Sequence, residues 1–300
     1  MMMRSVLVRG GIAAAAFVGV LQAPGQVAPR SHAQASEPAD IPLPVIPLTA
    51  PMPEGRACRV PAEFTDLVYR LPRVAAKIEG GWPITIVALG SSSTEGVGAS
   101  SPFMSYPARL QDELRRMYQT DTITVLNRGV GGEKAGDMLA RLEKDVLSVN
   151  PDLVIFQGDV NSVLADAPIA PAVSAMNDVI ATLRARHVDV VLMDAQYAPR
   201  VNAMSSAGEM QAQTMRLGQT HRVGVFQRHA LMKRWRDADG LAYGDFLAAD
   251  KLHMKDWSYA CTARVLAHAI GNAASPYAFV SLRRGGVADR YHGMLARNGL

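Results

Sequence analysis

Apolar residues in this chain fall into short β-branched bursts that alternate with longer stretches of helical spacing. Ile84–Leu89 is one such burst, and Gly90 ends it. Thr122–Leu126, Leu153–Phe156, Val188–Met193 and Val223–Phe226 repeat the pattern. Short apolar runs bounded by turn residues read as buried strands. Between them, Tyr106–Tyr118 places Leu110, Leu114 and Met117 at helical spacing. Asp137–Val149 does the same with Leu139, Leu142, Val146 and Val149, and Pro151 follows it. Ala170–Arg186, Ala207–Thr220 and Asp256–Ile270 complete the predicted helices. Five strands alternating with helices predict an α/β fold, a parallel sheet covered by helices on both faces.

The ends of the chain depart from this pattern. Arg4 and Arg9 precede an apolar run from Gly11 to Leu21, and Ala33-Gln34-Ala35 offers a small-x-small cleavage site. That is the three-part pattern of a cleavable signal peptide over residues 1–35, with cleavage near Ala35. The run is short for a membrane span of about 20 residues, so no stable span is expected after processing; an uncleaved anchor is the alternative. Residues 36–57 read as a Pro-rich extended linker, since the stretch from Pro38 to Pro61 holds seven of the chain's 18 prolines. A single domain is expected over 58–275, and residues 276–300 read as a C-terminal tail.

Composition narrows the function classes. At 49% hydrophobic and 19% charged the chain is a folding sequence, not a disordered one. Removing Arg4, Arg9 and Arg30 of the leader from the 31 basic residues leaves 28 against 27 acidic ones. The folded part therefore lacks the basic surplus of a nucleic-acid binder, and nucleic acid is excluded as a partner. Cys58 and Cys261 are the only cysteines. In a periplasmic or secreted chain such a pair suggests a disulfide, with two buried thiols as the alternative.

Ligands of an open parallel sheet bind beyond the carboxyl ends of its strands. The loops there carry Gly90-Ser91-Ser92-Ser93-Thr94-Glu95-Gly96, then Asn127-Arg128-Gly129-Val130-Gly131-Gly132, then Gln157-Gly158-Asp159-Val160-Asn161. Asp250-Lys251-Leu252-His253 precedes the last helix. A hydroxyl, glycine-loop amides, a side-chain amide and an acid three residues before a histidine are the parts for acyl transfer through serine. Neither glycine loop has dinucleotide or P-loop spacing. Asp289 and His292 form a second Asp-x-x-His pair, but in the tail. His187, His221 and His268 form no ligand-spaced cluster and read as surface or packing residues. Gln196 and Tyr197, after the fourth strand, lie where a substrate pocket could be lined.

In their order these four segments resemble the SGNH, or GDSL-type, serine hydrolases. The family's first block, Gly-Asp-Ser-x-Thr, is similar to Gly90-Ser91-Ser92-Ser93-Thr94 and implies Ser92 as nucleophile. The second block implies Gly132 and the third Asn161 as oxyanion donors, beside the amide of Ser92. The last block implies Asp250 and His253 as the rest of the triad. With the resemblance come a three-layer α/β/α sandwich with a five-stranded, flavodoxin-like sheet, no cofactor or metal, and an exported serine esterase acting on small-molecule, glycan or lipid esters, with short acyl groups favoured. An O-acetyltransferase using the same site and a degenerate binding module are the alternatives. Two departures bear on them. Ser91 stands where the family has Asp, so Ser91 and Ser93 stay open as nucleophiles. Asp159 replaces a glycine and would bring negative charge toward the oxyanion hole.

Overall fold

A computed structural model describes residues 56–158 and 160–275 of the chain. The expected signal peptide, most of the linker, the tail with Asp289 and His292, and Asp159 lie outside the described residues.

Five parallel strands form the sheet: β1 (Ile84–Gly90), β2 (Ile123–Gly129), β3 (Leu153–Gln157), β4 (Asp189–Met193) and β5 (Gly224–Phe226). Their order is β2-β1-β3-β4-β5, so β1 and β3 sit side by side where the winding reverses. All five predicted strands are present, with ends shifted by up to three residues.

Side chains alternate across a strand, and the sheet builds two cores on that alternation. Ile84, Ile86 and Ala88 of β1 join Leu153 and Ile155 of β3 on one face. There they meet Leu110 and Leu114 of the helix Tyr106–Tyr118 and most of the helix Asp256–Ala274. Val87, Leu89, Val154 and Phe156 point the other way. They are covered by Met138, by Val179, Ile180 and Leu183 of the helix Ile169–Ala185, and by Met210 and Met215 of the helix Ala207–His221. This is the three-layer sandwich the pattern implies.

One predicted helix is corrected. The stretch Asp137–Val149 is not continuous but divides into helices Ala135–Ala140 and Leu142–Asp145 and a 3-10 turn Leu147–Val149. The break falls at Arg141, whose ψ is 4°. Its guanidinium reaches Glu133 at 2.6 Å, the carbonyl of Arg128 at 2.8 Å and Asp145 at 3.2 Å. These bonds tie the break to the loop after β2. Helices Pro72–Glu79 and Arg228–Asp237 were not anticipated; Pro72 at the first helical position favours the start of the former.

Residues 56–71 run along the closing helix Asp256–Ala274. The Trp257 indole donates to the carbonyl of Arg56 at 3.0 Å, and Asn272 donates to the carbonyl of Thr65 at 3.2 Å. Cys58 and Cys261 are joined by a disulfide, with Cα atoms 5.4 Å apart. The bridge closes a loop of 203 residues. Loop-closure entropy gives about 5 kcal/mol as its upper contribution. Replacing both cysteines by serine should therefore lower the denaturation midpoint markedly. Thiol titration of the unfolded, unreduced wild type should find no reactive sulfhydryl; two reactive thiols would refute the bridge.

At the opposite, amino-terminal edge of the sheet, Asp189 accepts the amides of Arg73 and Val74 at 2.9 and 3.0 Å. Burial pushes its carboxyl up to about 6, against those hydrogen bonds and the charges of Arg184 and Arg73. A carboxyl raised in the folded state takes up a proton on folding, so it costs stability above its folded pKa and relieves that cost as pH falls. Wild type should thus gain stability relative to Asp189→Asn as pH is lowered from 7 to 5. Denaturant titrations of both proteins at the two pH values test this; a constant difference would contradict it.

Candidate active site

The site is built where β1, β2 and β3 end. After Gly90 the chain turns directly into the short helix Ser92–Glu95, with Ser91 at its cap. Backbone crowding is severe here. A Cβ on Gly129 would lie 2.0 Å from the amide nitrogen of Glu95, so β2 can end against this helix only with glycine. Gln157, at the end of β3, locks the turn. Its Oε1 accepts the Ser91 amide and hydroxyl at 3.4 Å each and the Thr94 hydroxyl at 3.3 Å.

That packing gives the three consecutive serines different surroundings. Ser91 is buried and bonded to Gln157. Ser93 is fully buried, and its hydroxyl has no hydrogen-bond partner. Ser92 alone is half-buried, and its Oγ lies 2.8 Å from His253 Nε2. His253 Nδ1 lies 2.5 Å from Asp250 Oδ2. The other oxygen of Asp250 accepts the backbone amides of Leu252 and His253, each at 3.0 Å. Burial raises the Asp250 carboxyl. The hydrogen bonds from the His253 ring and the two amides outweigh it, so the group stays below the ordinary aspartate value and ionised.

Ser92 opens a helix, so its own amide has no acceptor within that helix. The loop after β2 comes in beside it: a Cβ on Gly131 would lie 4.0 Å from Ser92 Cβ. Gly132 holds a positive φ of 82°, which a side chain would strain. Asn161 reaches the same loop, donating from Nδ2 to the carbonyl of Glu133 at 2.8 Å. An amide NH2 has two hydrogens, so one remains for another acceptor. The loops after β2 and β3 thus meet at Glu133, with Gly131 beside Ser92 at the end of β1.

Gln196, expected to line a pocket, does not. It is 1% exposed. Its Nε2 donates to the carbonyl of Leu252 at 3.4 Å, and its Oε1 accepts from Arg228 at 3.1 Å. It braces the loop of Asp250 and His253 from beneath and has no open face for substrate. Tyr197 is half-buried, stacked on Tyr243 and edge-on to His229. Among the other histidines, His221 bonds Asn177 at 2.8 Å, and burial lowers the pKa values of His221 and His268. Sequence reasoning missed Gln157 and Arg141 as supports of the site. Gln157 ends an otherwise apolar strand, and that polar residue in a buried run was the available signal.

The model of the non-GDSL lipase-like family matches residues 57–276. Among solved structures, the chain is similar to a two-domain esterase active on acetylated mannans, with a TM-score of 0.60 and 20% identity over 71% of this chain. The match spans 56% of that esterase. It is also similar to a protein of the G-D-S-L lipolytic family from Desulfitobacterium hafniense DCB-2 (TM-score 0.53, 19% identity, 62% of this chain and 98% of that one). A third is Axe2, an acetylxylan esterase from Geobacillus stearothermophilus (TM-score 0.53, 17% identity, 63% and 94%). A UDP-N-acetylglucosamine 2-epimerase from Methanocaldococcus jannaschii is 47% identical over 45 residues, which are 15% of this chain and 12% of that protein. The solved structures share the α/β/α fold, and the family match runs through every strand and every residue that meets at Ser92: the chain belongs to the non-GDSL lipase-like family.

Proposed function

We propose that this protein is an exported serine esterase that removes short acyl groups, acetyl foremost, from the hydroxyls of a glycan. The observation that carries the reading is the unbroken chain from Ser92 Oγ through His253 to Asp250, at 2.8 and 2.5 Å. Acyl transfer needs a base within hydrogen-bond reach of the nucleophile and a third group to orient that base.

In this mechanism Ser92 Oγ attacks the ester carbonyl as its proton passes to His253 Nε2. Asp250, ionised, accepts from Nδ1, fixes the tautomer and stabilises the imidazolium. The carbonyl oxygen takes the negative charge and is held by the amides of Ser92 and Gly132 and by the free hydrogen of Asn161. Collapse breaks the bond to the sugar oxygen, which leaves with the proton from His253. Water, deprotonated by His253, then attacks the acyl-enzyme and releases the acid and Ser92.

Two kinds of support favour the narrower parts of the reading. Two of the fold's neighbours act on acetylated mannans and on acetylxylan. Export fits the apolar leader pattern of residues 1–35 and the Cys58–Cys261 bridge, which a reducing compartment would disfavour. Among the described residues, no helix is long and apolar enough to cross a membrane.

A fluorophosphonate should label Ser92, with the site found by peptide mapping. Ser92→Ala should lose p-nitrophenyl acetate hydrolysis by about 10⁴-fold or more, while Ser91→Ala stays labelled. Label on Ser91 or Ser93 in the wild type would overturn the assignment. Asn161→Ala should lower kcat by about 10²- to 10³-fold with KM little changed, as expected for a donor used in the transition state. An unchanged kcat would remove Asn161 from the oxyanion hole.

A further inference from the structure

The loop that carries Asp250 and His253 has a second face. Leu247, Ala248, Ala249 and Lys251 form one wall of a cleft of about 500 Å³, closed by Pro199, Tyr243, Gly244 and Lys255. The cleft and the His253 loop are one unit. The amide of Ala248 donates to the carbonyl of His253 at 2.8 Å, and Leu247 pairs with Met254 across an antiparallel bridge. A Cβ placed on Gly98 would lie 3.1 Å from His253 Cβ and 3.4 Å from Ala248 Cβ, so the two residues flank the same point.

The residues that line the cleft carry positive charge only. They include two lysines and no carboxylate. The carboxylates nearest in sequence each have partners: Asp256 accepts the amide and hydroxyl of Ser100, and Asp245, which also feels the charge of Lys255, is bonded away from the lining. Asp245 accepts from Arg56 at 3.1 Å and from the amide of Ala242 at 2.7 Å, and Asp250 serves His253. The Lys255 ammonium is held in place by the carbonyl of Gly244 at 2.8 Å, which uses one of its three donors. Lys251 is exposed and belongs to the same lining. Pro199, Leu247 and Ala248 line the same cleft, apolar groups suited to the C–H face of a sugar ring.

We propose that this cleft is a subsite for an acidic sugar, with Lys251 and Lys255 binding the carboxylate of a uronic acid in the glycan whose ester is cleaved at Ser92. The proposal rests on the esterase reading and narrows it from glycans in general to carboxylated ones. It assigns Lys251 and Lys255 to substrate specificity and gives them no part in the acyl-transfer steps.

Three substrates separate the two levels: p-nitrophenyl acetate, acetylated xylo-oligosaccharide and acetylated oligogalacturonate. The wild type should hydrolyse all three and prefer the acidic glycan, with KM for that glycan rising as salt is added. Lys251→Gln and Lys255→Gln should each raise KM for the acidic glycan by about fivefold. Turnover of the other two substrates should not change. Equal use of both glycans, or variants that slow all three substrates alike, would overturn the subsite while leaving the esterase reading intact. If no ester is hydrolysed and Ser92 is not labelled, the esterase reading fails. Calorimetric titration with unacetylated oligogalacturonate then decides the subsite alone. Binding to the wild type that the double variant loses would uphold it; no binding to the wild type would end it.

Discussion

Crowding at the carboxyl ends of β1 and β2 is the constraint on which the site depends. A Cβ at Gly90 would lie 2.1 Å from the Thr94 hydroxyl, and one at Gly129 would lie inside the backbone of Glu95. The strands therefore end in contact with the helix Ser92–Glu95, and that contact fixes where Ser92 faces. A longer or looser turn would let the three serines exchange places. Here burial and Gln157 take Ser91 and Ser93 out of reach of the imidazole, and Ser92 is left facing it.

The remaining parts are held by bonds that cross between layers. Arg141 anchors Glu133, whose carbonyl receives Asn161, so the loops after β2 and β3 are positioned by one guanidinium and one amide. On the other side, Arg228 holds Gln196, and Gln196 holds the carbonyl of Leu252, one residue before His253. Arg228 is fully buried, and buried charge is tolerated only where its donors are used. Its guanidinium also donates to the carbonyl of Asp194 at 3.1 Å, so one cation organises the ends of β4 and the His253 loop together.

Much of this was legible in the chain because the signals were local. Short, continuous apolar runs marked the strands, and Gly90, Asn127 and Gly129 marked where the first two end. Asp250 and His253 are three residues apart, so one turn brings them together without help from the fold. What could not be read was long-range. Gln196 looked like a pocket residue because it follows a strand; only the arrival of Arg228 and Leu252, 32 and 56 residues away, buries it. The break at Arg141 was hidden for the same reason. Leu139, Leu142, Val146 and Val149 keep helical spacing through it, and the bonds from Arg141 to Arg128 and Glu133 lie outside that pattern.

Ser91, where the GDSL-type pattern has aspartate, acquires a physical meaning from Gln157. At the start of a helix a carboxylate would accept backbone amides and stabilise the turn. Ser91 makes no such side-chain cap. Instead the turn is held from the neighbouring strand, where Gln157 Oε1 gathers the Ser91 amide, the Ser91 hydroxyl and the Thr94 hydroxyl. A neutral acceptor does this without adding charge to the turn. The hold on the turn that a capping carboxylate would give is thus supplied from β3, across the sheet rather than from within the turn.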